Sequence, residues 1–415
     1  MLKLGTAKLT INPEKPVRMV GYATRTGPYD EILQDIYTRV YSLRQGENQV
    51  VLVYGDLLWW NSTFVAAARP RLSKALGLKE EQVLFVASHN HSGPGTGDNF
   101  TPLLESVDPA YTQYLYGRVE EAAKQAAANE EPVTVTRHSG SCHLNVYRRV
   151  MTEQGIAMRP NYTVPADDHL TVLRFAREDG SVKGLLLHYP CHANLANGNA
   201  LHPDYPGVAM GLLDEKYPGS VAMFFQGCTG DLRPNSVLGE LFVPQSFEGV
   251  KHFADQFFNH CVSALEAPGK VLEGQLQVTR NDVVLPVDQS VVAQWRAAAQ
   301  GGDLPSQQWE AVCSKKDFRN YETLELSLLE LGEFSMFFFN AEVSQHYAAF
   351  ARTLRSDAIT SGYTNGMIGY LANAEQIGEG GYEPKGSALY FAVAGTYDVS
   401  IQSVIEDGLK ALSNK

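Results

Sequence analysis

The sequence is poor in cysteine, has no long apolar run and has no cluster of basic residues. Its five cysteines are scattered and never form a CxxC pair, which argues against a disulfide framework and against a thiolate zinc site. No run approaches the roughly 18 apolar residues of a membrane-spanning helix. Residues 1–10 lack the apolar core of a signal peptide. We therefore expect a protein of the reducing cytoplasm, unless the chain is already processed, without a stable membrane anchor.

Acidic residues outnumber basic ones. The chain has 46 Asp and Glu against 34 Lys and Arg, which gives a formal net charge of -12. Binding to nucleic acid requires a basic face that neutralises phosphates, and binding to an anionic membrane surface requires a polybasic patch. We therefore expect a small-molecule partner and no nucleic acid, while the oligomeric state is not predicted.

The composition is that of a globular protein with a sizeable core, since 44% of the 415 residues are hydrophobic and 19% are charged. Strand-like runs and helical periodicity follow each other without a strict βαβ rhythm, which predicts an α/β fold with mixed β-sheets flanked by helices. The predicted strands are 37–43, 49–58, 83–87, 133–137, 170–175, 184–189, 221–225, 275–285, 324–331 and 333–339. The predicted helices are 62–76, 109–128, 206–216, 247–265, 344–355 and 399–412. No linker divides the chain, so residues 1–415 are predicted to form one domain, with segment 288–318 as an inserted helical pair or lid.

Two histidines follow the predicted strand 83–87. They are His89 and His91, in the segment 88–95 with the sequence SHNHSGPG. Alternation along an extended backbone puts both rings on one face, and the glycines let a ligand approach the backbone closely. The pattern suits a metal site at a strand end, although two polar loop histidines remain the alternative for this motif alone.

The predicted strand 184–189 also ends in histidine. His192 lies just past its end and is the better ligand candidate, whereas His188 lies inside the strand and is interpreted as a core histidine. Asp204 follows in a loop rich in turn-forming residues, where it either belongs to the site or caps the next helix.

A third strand end leads into a glycine-rich bend at residues 226–235. Backbone N–H groups in such a bend can point at an anion. Cys228 lies in it, but no base is paired with it at a fixed spacing. We interpret Cys228 as a buried small hydrophobe and not as a nucleophile.

Together these pieces resemble the catalytic domain of the neutral/alkaline non-lysosomal ceramidases. The segments that carry the resemblance are Gly21-Tyr22, 35–39, 88–95, Cys191-His192, 204–207 and 230–235. Family members hydrolyse the amide of N-acylsphingosines at a zinc site held by two His, one Glu and one Tyr. The resemblance therefore implies a zinc hydrolase with a small-molecule acyl substrate.

The resemblance also implies a role for each matching residue. The implied Zn²⁺ ligands are His89, His192, Glu342 and Tyr370, with Tyr363 as a competing choice for the tyrosine. The implied substrate-binding residue is Arg148, with Arg149 as its rival. Apart from the resemblance, we also predict substrate contacts by Arg233 and Asn99. The implied catalytic residues are His91, Tyr382 and Asp231, of which Tyr382 or His91 would stabilise the oxyanion and Asp231 or His91 would act as general base. Imidazoles and hard oxygen anions suit Zn²⁺ and leave a position open for water or a carbonyl.

The chain departs from the family pattern at Arg233. The ceramidases place a nucleophile-like serine there, and Ser236, three residues later and past a proline, is a poor substitute. The chain also ends too early for the Ig-like C-terminal domain of the family. Arg233 is a permanent cation that could bind a carboxylate or phosphate of the substrate. The alternative is a structural salt bridge with Asp231 or another acidic residue.

These departures set the predicted function. We expect a zinc-dependent hydrolase of an N-acyl amide, polar or anionic and not ceramide, in which zinc-activated water attacks directly. The alternatives are a zinc-dependent esterase of lipase type and a zinc-containing binding protein without catalysis.

Overall fold

Three mixed β-sheets of five strands each organise residues 1–414, the part of the chain that our computed structural model describes. The strands are β1 (Lys3–Thr10), β2 (Glu31–Ile32), β3 (Tyr37–Gln45), β4 (Asn48–Gly55), β5 (Val83–Ala87), β6 (Glu131–Pro132), β7 (Thr134–Ser141), β8 (Asn145–Thr152), β9 (Gly155–Asn161), β10 (His169–Ala176), β11 (Val182–Tyr189), β12 (Ala200–Leu201), β13 (Val221–Gln226), β14 (Leu232–Pro234), β15 (Val237–Leu238), β16 (Leu241–Phe242), β17 (Lys270–Leu272), β18 (Leu276–Asp288), β19 (Tyr321–Leu331), β20 (Phe334–Phe339), β21 (Glu342–Val343), β22 (Ile359–Ser361), β23 (Tyr370–Leu371) and β24 (Thr396–Tyr397). The α-helices are α1 (Ser62–Leu76), α2 (Pro109–Ala128), α3 (Asp204–Lys216), α4 (Phe247–Glu266), α5 (Val292–Gln300), α6 (Leu304–Cys313), α7 (Gln345–Leu354), α8 (Ala374–Glu379), α9 (Ser387–Tyr390) and α10 (Ile401–Ser413).

Each large sheet contains one parallel pair among antiparallel neighbours. The strand orders are β5-β4-β3-β1-β6, β13-β11-β10-β7-β17 and β22-β20-β19-β18-β24. The parallel pairs are β4–β5, β11–β13 and β20–β22. The prediction of an α/β fold with mixed sheets is confirmed.

The first sheet is buried on both faces. Alternate residues of β4 divide between two hydrophobic clusters: Val53 packs in the cluster that holds Phe64 of α1, and Leu52 packs in the cluster that holds Leu186 of β11. Burial on both faces explains why β4 and β5 are almost continuously apolar instead of alternating.

Hydrogen bonds join the three sheets where their parallel pairs end. The Gln226 side chain donates to the Ser88 carbonyl over 3.0 Å, and the Gly362 N–H donates to the Gln226 carbonyl over 3.2 Å. The Ala87 N–H donates to the Tyr363 carbonyl over 3.2 Å. The loops at the carboxyl ends of β5, β13 and β22 therefore lie next to one another. Sites built on parallel strands usually lie at this end of the strands.

Most predicted elements lie where the sequence places them. Helices α1 and α2 and strand β5 begin and end at the predicted residues, and segment 288–318 forms the predicted helical pair, α5 and α6. Trp309 of α6 packs against Trp295 of α5, with ring centroids 5.2 Å apart, and donates to the Val393 carbonyl. The sequence does not predict β1, β8 or β9, because polar residues interrupt their apolar pattern.

Two negative expectations can be compared with residues 1–414. No helix there has both the length and the apolar character needed to cross a bilayer. All five cysteines are buried and free in this structure.

Candidate metal centre and active site

The centre of the candidate site is a pair of buried histidines, His89 and His192. His89 lies two residues beyond β5 and His192 three residues beyond β11, and each is 1% exposed. The backbone of His89 has φ +62°, a conformation that costs a non-glycine residue energy and is found mainly where the fold requires it.

The tautomers of the two rings follow from their partners. His89 Nδ1 lies 3.1 Å from the Leu58 carbonyl oxygen, and His192 Nδ1 lies 3.2 Å from the Thr229 carbonyl oxygen. A carbonyl oxygen only accepts, so both Nδ1 atoms donate, and both Nε2 atoms carry lone pairs. The two Nε2 atoms nevertheless face each other at 2.9 Å. Two lone pairs at that distance repel unless a cation lies between them.

Glu342 completes this arrangement from the third sheet. Its Oε2 lies 3.5 Å from His89 Nε2, and its Oε1 lies 3.5 Å from His192 Nε2. The Oε1 atom is buried and accepts no hydrogen bond. Two imidazole nitrogens and a carboxylate oxygen without a hydrogen-bond partner are ligand atoms that suit a divalent transition metal. These residues therefore fit a metal ion.

Burial sets the protonation of these groups. It lowers the pKa of His89 to about 3 and lowers that of His192 well below the usual value, so both rings are neutral at pH 7. Burial also raises the pKa of Glu342 to about 8, although Arg148 opposes the rise. A bound cation would reverse the effect on Glu342, because it stabilises the carboxylate directly.

The two competing tyrosines have different surroundings. The parallel pairing of β21 with β23 makes Tyr370 the register partner of Glu342. The Tyr363 ring instead stacks on His89, with centroids 3.9 Å apart, and its hydroxyl is 2.6 Å from Thr229 Oγ1. Hydrogen bonds from both Tyr370 and Tyr363 act against the raised pKa of Glu342. Tyr370 as the fourth ligand therefore stays a prediction, with Tyr363 as its rival.

His91 is the third imidazole at this centre. Its Nε2 lies 3.1 Å from His89 Nε2, and nitrogens of His89, His91 and His192 all lie within 4.8 Å of one another. Burial and the charges of its surroundings lower the pKa of His91 well below the usual value. His91 is therefore a neutral imidazole beside the two candidate ligands.

Arg148 supports Tyr370 in this structure. It is 2% exposed, its Nε donates to Glu383 over 2.8 Å, and its Nη2 donates to the Tyr370 hydroxyl over 3.2 Å. Its rival Arg149 is bound to Glu383 and Glu379. Substrate contact by Arg148 stays a prediction, since its guanidinium already has these partners.

Asp231, a predicted candidate for the general base, is held by three hydrogen-bond donors. Its carboxylate accepts from Ser344 Oγ over 2.6 Å, from the Gln345 N–H over 2.9 Å and from Gln376 Nε2 over 2.8 Å. A carboxylate held by three donors at the start of α7 positions the loop after Glu342. The role of Asp231 as general base stays a prediction.

Arg233 has no acidic partner. Within residues 1–414 no carboxylate lies within ion-pair distance of it, so the alternative of a salt bridge with Asp231 is wrong. Its guanidinium lies 4.8 Å over the Phe242 ring, and its Nη1 lies 3.7 Å from Met158 Sδ. It remains a half-buried cation with free donors.

The remaining two predicted residues lie in different places. The Tyr382 ring is 5.6 Å from the Tyr370 ring, so the structure brings it to the site. Asn99 instead lines a separate cavity of about 350 Å³ with Lys316 and Phe391. Phe391 lines that cavity and also packs against Tyr370, at 5.8 Å between ring centroids. Substrate contact by Asn99 stays a prediction.

Sequence reasoning gave no role to Tyr22 and did not find Arg25. Arg25 is 5% exposed and donates to the carbonyls of His91, Val20 and Gly198. Its guanidinium lies 4.8 Å from the Tyr22 ring, which packs against His91 at 5.1 Å. No spacing pattern could reveal these roles, since the partners of Arg25 are backbone carbonyls of three separate segments.

Comparison with known proteins identifies the family to which this fold belongs. The family model "Neutral/alkaline non-lysosomal ceramidase, N-terminal" matches residues 3–243, more than half of the chain. The chain therefore belongs to the neutral/alkaline non-lysosomal ceramidase family.

Two kinds of relative support this assignment. The neutral ceramidase of Pseudomonas aeruginosa is 24% identical over 248 residues, which cover 56% of this chain and 37% of that protein, so the match spans little more than a third of the relative. The crystal structure of neutral ceramidase from Pseudomonas aeruginosa superposes with a TM-score of 0.77 at 17% identity, over 100% of this chain and 74% of that one. A structure of ceramidase complexed with C2 gives 0.78 at 17% identity, over 99% and 74%. At this identity the structural matches show a shared fold.

Proposed function

We propose that the protein is a zinc-dependent hydrolase of an N-acyl amide, with a polar or anionic substrate and not ceramide. The observation that carries the proposal is the pair of lone pairs at His89 and His192, which face each other across 2.9 Å beside an unsatisfied Glu342 oxygen. His89, His192, Glu342 and Tyr370 would hold the metal. When bound, Zn²⁺ polarises a carbonyl and lowers the pKa of a water molecule to about 7.

The chain's own residues supply the proton transfers. The neutral ring of His91 accepts a proton from water and returns it to the nitrogen of the leaving amine. Tyr382 lies next to Tyr370. Its hydroxyl donates a hydrogen bond to the carbonyl oxygen of the substrate, which develops negative charge during the reaction. With Asp231 held by three donors, His91 is the general base in this proposal.

Water is the nucleophile because the alternatives are unsuitable. Arg233 occupies the position where the family pattern has serine. Ser236 donates to the Val243 carbonyl over 2.8 Å and accepts from Gln245, within the loop that carries β15 and β16. Cys228 is fully buried, and burial raises the pKa of its thiol to about 12.

The charge of the site supports an anionic substrate. Arg25 and Arg233 lie near His91, and neither has a carboxylate within ion-pair distance among residues 1–414. Arg148 and Arg149, by contrast, are balanced by Glu383 and Glu379. A metal dication would add further positive charge, which leaves an excess that an anion can balance.

Chelation and metal return test the proposal. The purified protein should hydrolyse members of an N-acyl amide library, lose activity with a chelator and regain it with Zn²⁺, while His89→Ala stays inactive. Hydrolysis of esters alone would support the esterase. Bound zinc without hydrolysis of amides or esters would support a binding protein. Turnover of neutral N-acylsphingosine with indifference to Arg233→Ser would contradict the anionic substrate.

A further inference from the structure

We infer that the cavity lined by Asn99, Lys316 and Phe391 is a second binding site, and that it takes a free α-amino acid with an apolar side chain. Its volume is about 350 Å³, a size at which proteins bind small molecules. None of the four candidate metal ligands lines it. The inference therefore goes beyond the proposed function and does not depend on it.

One part of the cavity is apolar and aromatic. Phe100 and Phe391 are buried, and their rings pack edge to face with centroids 5.0 Å apart. Met367, Ile368 and Ala392 complete this part of the lining. An aromatic or aliphatic side chain of a ligand would lose contact with water here, which favours binding.

Two residues of opposite charge line the same cavity. Lys316 is exposed at its mouth, and Glu322 is half-buried. Within residues 1–414 neither residue has a partner at ion-pair distance, and the two do not pair with each other. Arg319, which also lines the cavity, is already paired, because its Nε lies 2.6 Å from Asp317 Oδ2. A ligand that carries both a carboxylate and an ammonium group would supply a partner to Lys316 and to Glu322.

Asn340 adds a buried polar group to the lining. It is 8% exposed, and its Oδ1 accepts from the Glu325 N–H over 2.8 Å. That hydrogen bond fixes the orientation of the amide, so Nδ2 is the donor that is left over. No acceptor among residues 1–414 lies within hydrogen-bond distance of this Nδ2. A carboxylate oxygen in the cavity would satisfy it, and the free energy that an unpaired buried amide costs would be recovered.

The charged and apolar parts of the cavity are adjacent. Lys316 Nζ lies 5.8 Å from the centroid of the Phe100 ring, which itself packs against Phe391. In an α-amino acid the carboxylate, the ammonium group and the side chain leave from one carbon atom. We therefore assign the carboxylate to Lys316 and Asn340, the ammonium group to Glu322, and the side chain to the aromatic part.

Three ligands with the same phenyl ring test the inference. They are L-phenylalanine, 3-phenylpropanoate, which lacks the ammonium group, and 2-phenylethylamine, which lacks the carboxylate. In calorimetric titration of the protein we expect L-phenylalanine to bind about 10-fold more tightly than either analogue, because each analogue loses one charged contact. Equal binding by either analogue, or no binding of L-phenylalanine in the millimolar range, would overturn the inference.

Variants then assign each contact to one residue. Lys316→Met should weaken binding of L-phenylalanine about 10-fold without weakening 2-phenylethylamine, and Glu322→Gln should do the same without weakening 3-phenylpropanoate. Lys315→Met is the matched control, because Lys315 is the exposed neighbour of Lys316 in the chain and does not line the cavity. The control should bind L-phenylalanine as the unchanged protein does. Unchanged binding in both Lys316→Met and Glu322→Gln would contradict the inference.

The metal separates this inference from the proposed function. The affinity for L-phenylalanine should be the same in the presence of a chelator and of saturating Zn²⁺, since the cavity holds no candidate metal ligand. Binding that requires zinc would place the amino acid at the metal centre and overturn the second site. Absence of amide hydrolysis would count against the proposed function only.

Discussion

Glu342→Gln in the metal-free protein should change how stability depends on pH. Burial raises the pKa of Glu342 from 4.5 to about 8 in the folded protein. A carboxyl with a raised folded pKa contributes stability that is fully present below its unfolded pKa and is lost as pH rises through the folded value. In the metal-free protein, ionisation of Glu342 therefore opposes folding between about pH 4.5 and pH 8.

The magnitude follows from the size of the shift. Each pH unit in that window costs up to 1.36 kcal/mol, so from pH 5 to pH 8 the unchanged protein should lose about 4 kcal/mol relative to Glu342→Gln. The histidines titrate in both proteins, so their contributions cancel in the difference. Urea unfolding at pH 5, 6, 7 and 8 in the presence of a chelator measures it.

Zinc should reverse the sign. With saturating Zn²⁺ the carboxylate gains a cationic partner, so the unchanged protein should gain stability with rising pH relative to the variant. Glu105→Gln is the control: Glu105 is also buried with its pKa raised to about 8, but it binds Asn61 and Trp59. Its pH dependence should not respond to zinc. Parallel pH profiles for the unchanged protein and Glu342→Gln, with and without zinc, would refute the reasoning.

Three further substitutions test single contacts. His192→Ala should weaken zinc binding at least about 100-fold, because one of two imidazole ligands is lost. Competition with a chromophoric chelator measures the affinity, and an unchanged affinity would remove His192 from the ligand set. Asp231→Ala should lower the free energy of unfolding by about 3 kcal/mol, because three hydrogen bonds are lost. The pH profile of the residual activity should stay as it was, and a change in that profile would support Asp231 as the general base. Arg25→Met should lower the free energy of unfolding by about 3 kcal/mol, because three buried carbonyls lose a charged hydrogen-bond donor. Urea unfolding measures the change, and a value below about 0.5 kcal/mol would show that water replaces the guanidinium.

The sequence predicts the strand ends of the site well. Strand β5 is short, apolar and followed at once by His89 and His91, and the same pattern precedes His192. Glu342 also follows an apolar strand. These predictions depend on local patterns, which a sequence carries in full. The parallel pairs that bring the three strand ends together are long-range contacts and need the fold.

The side chains that sequence places least well are those whose direction is set by distant segments. Asn99 is only eight residues from His91, yet it lines a cavity with Lys316 and Phe391. Asp231 lies in the glycine-rich bend that the sequence predicts. Its carboxylate accepts hydrogen bonds from Ser344, Gln345 and Gln376, which are more than a hundred residues away. The type of residue is visible in sequence, while its partners are visible only in the fold.

Arg233 connects the chemistry of the site with its specificity. A serine at this position could attack a carbonyl, whereas a guanidinium cannot, so an arginine here both removes that nucleophile and adds a fixed positive charge. The charge has no carboxylate to neutralise it among residues 1–414, and Phe242 and Met158 offer only weak partners. A half-buried, unpaired cation is unfavourable in the free protein, and a substrate anion would relieve that cost on binding. Under the proposed function, the arginine that leaves water as the nucleophile would also favour an anionic substrate over a neutral sphingolipid.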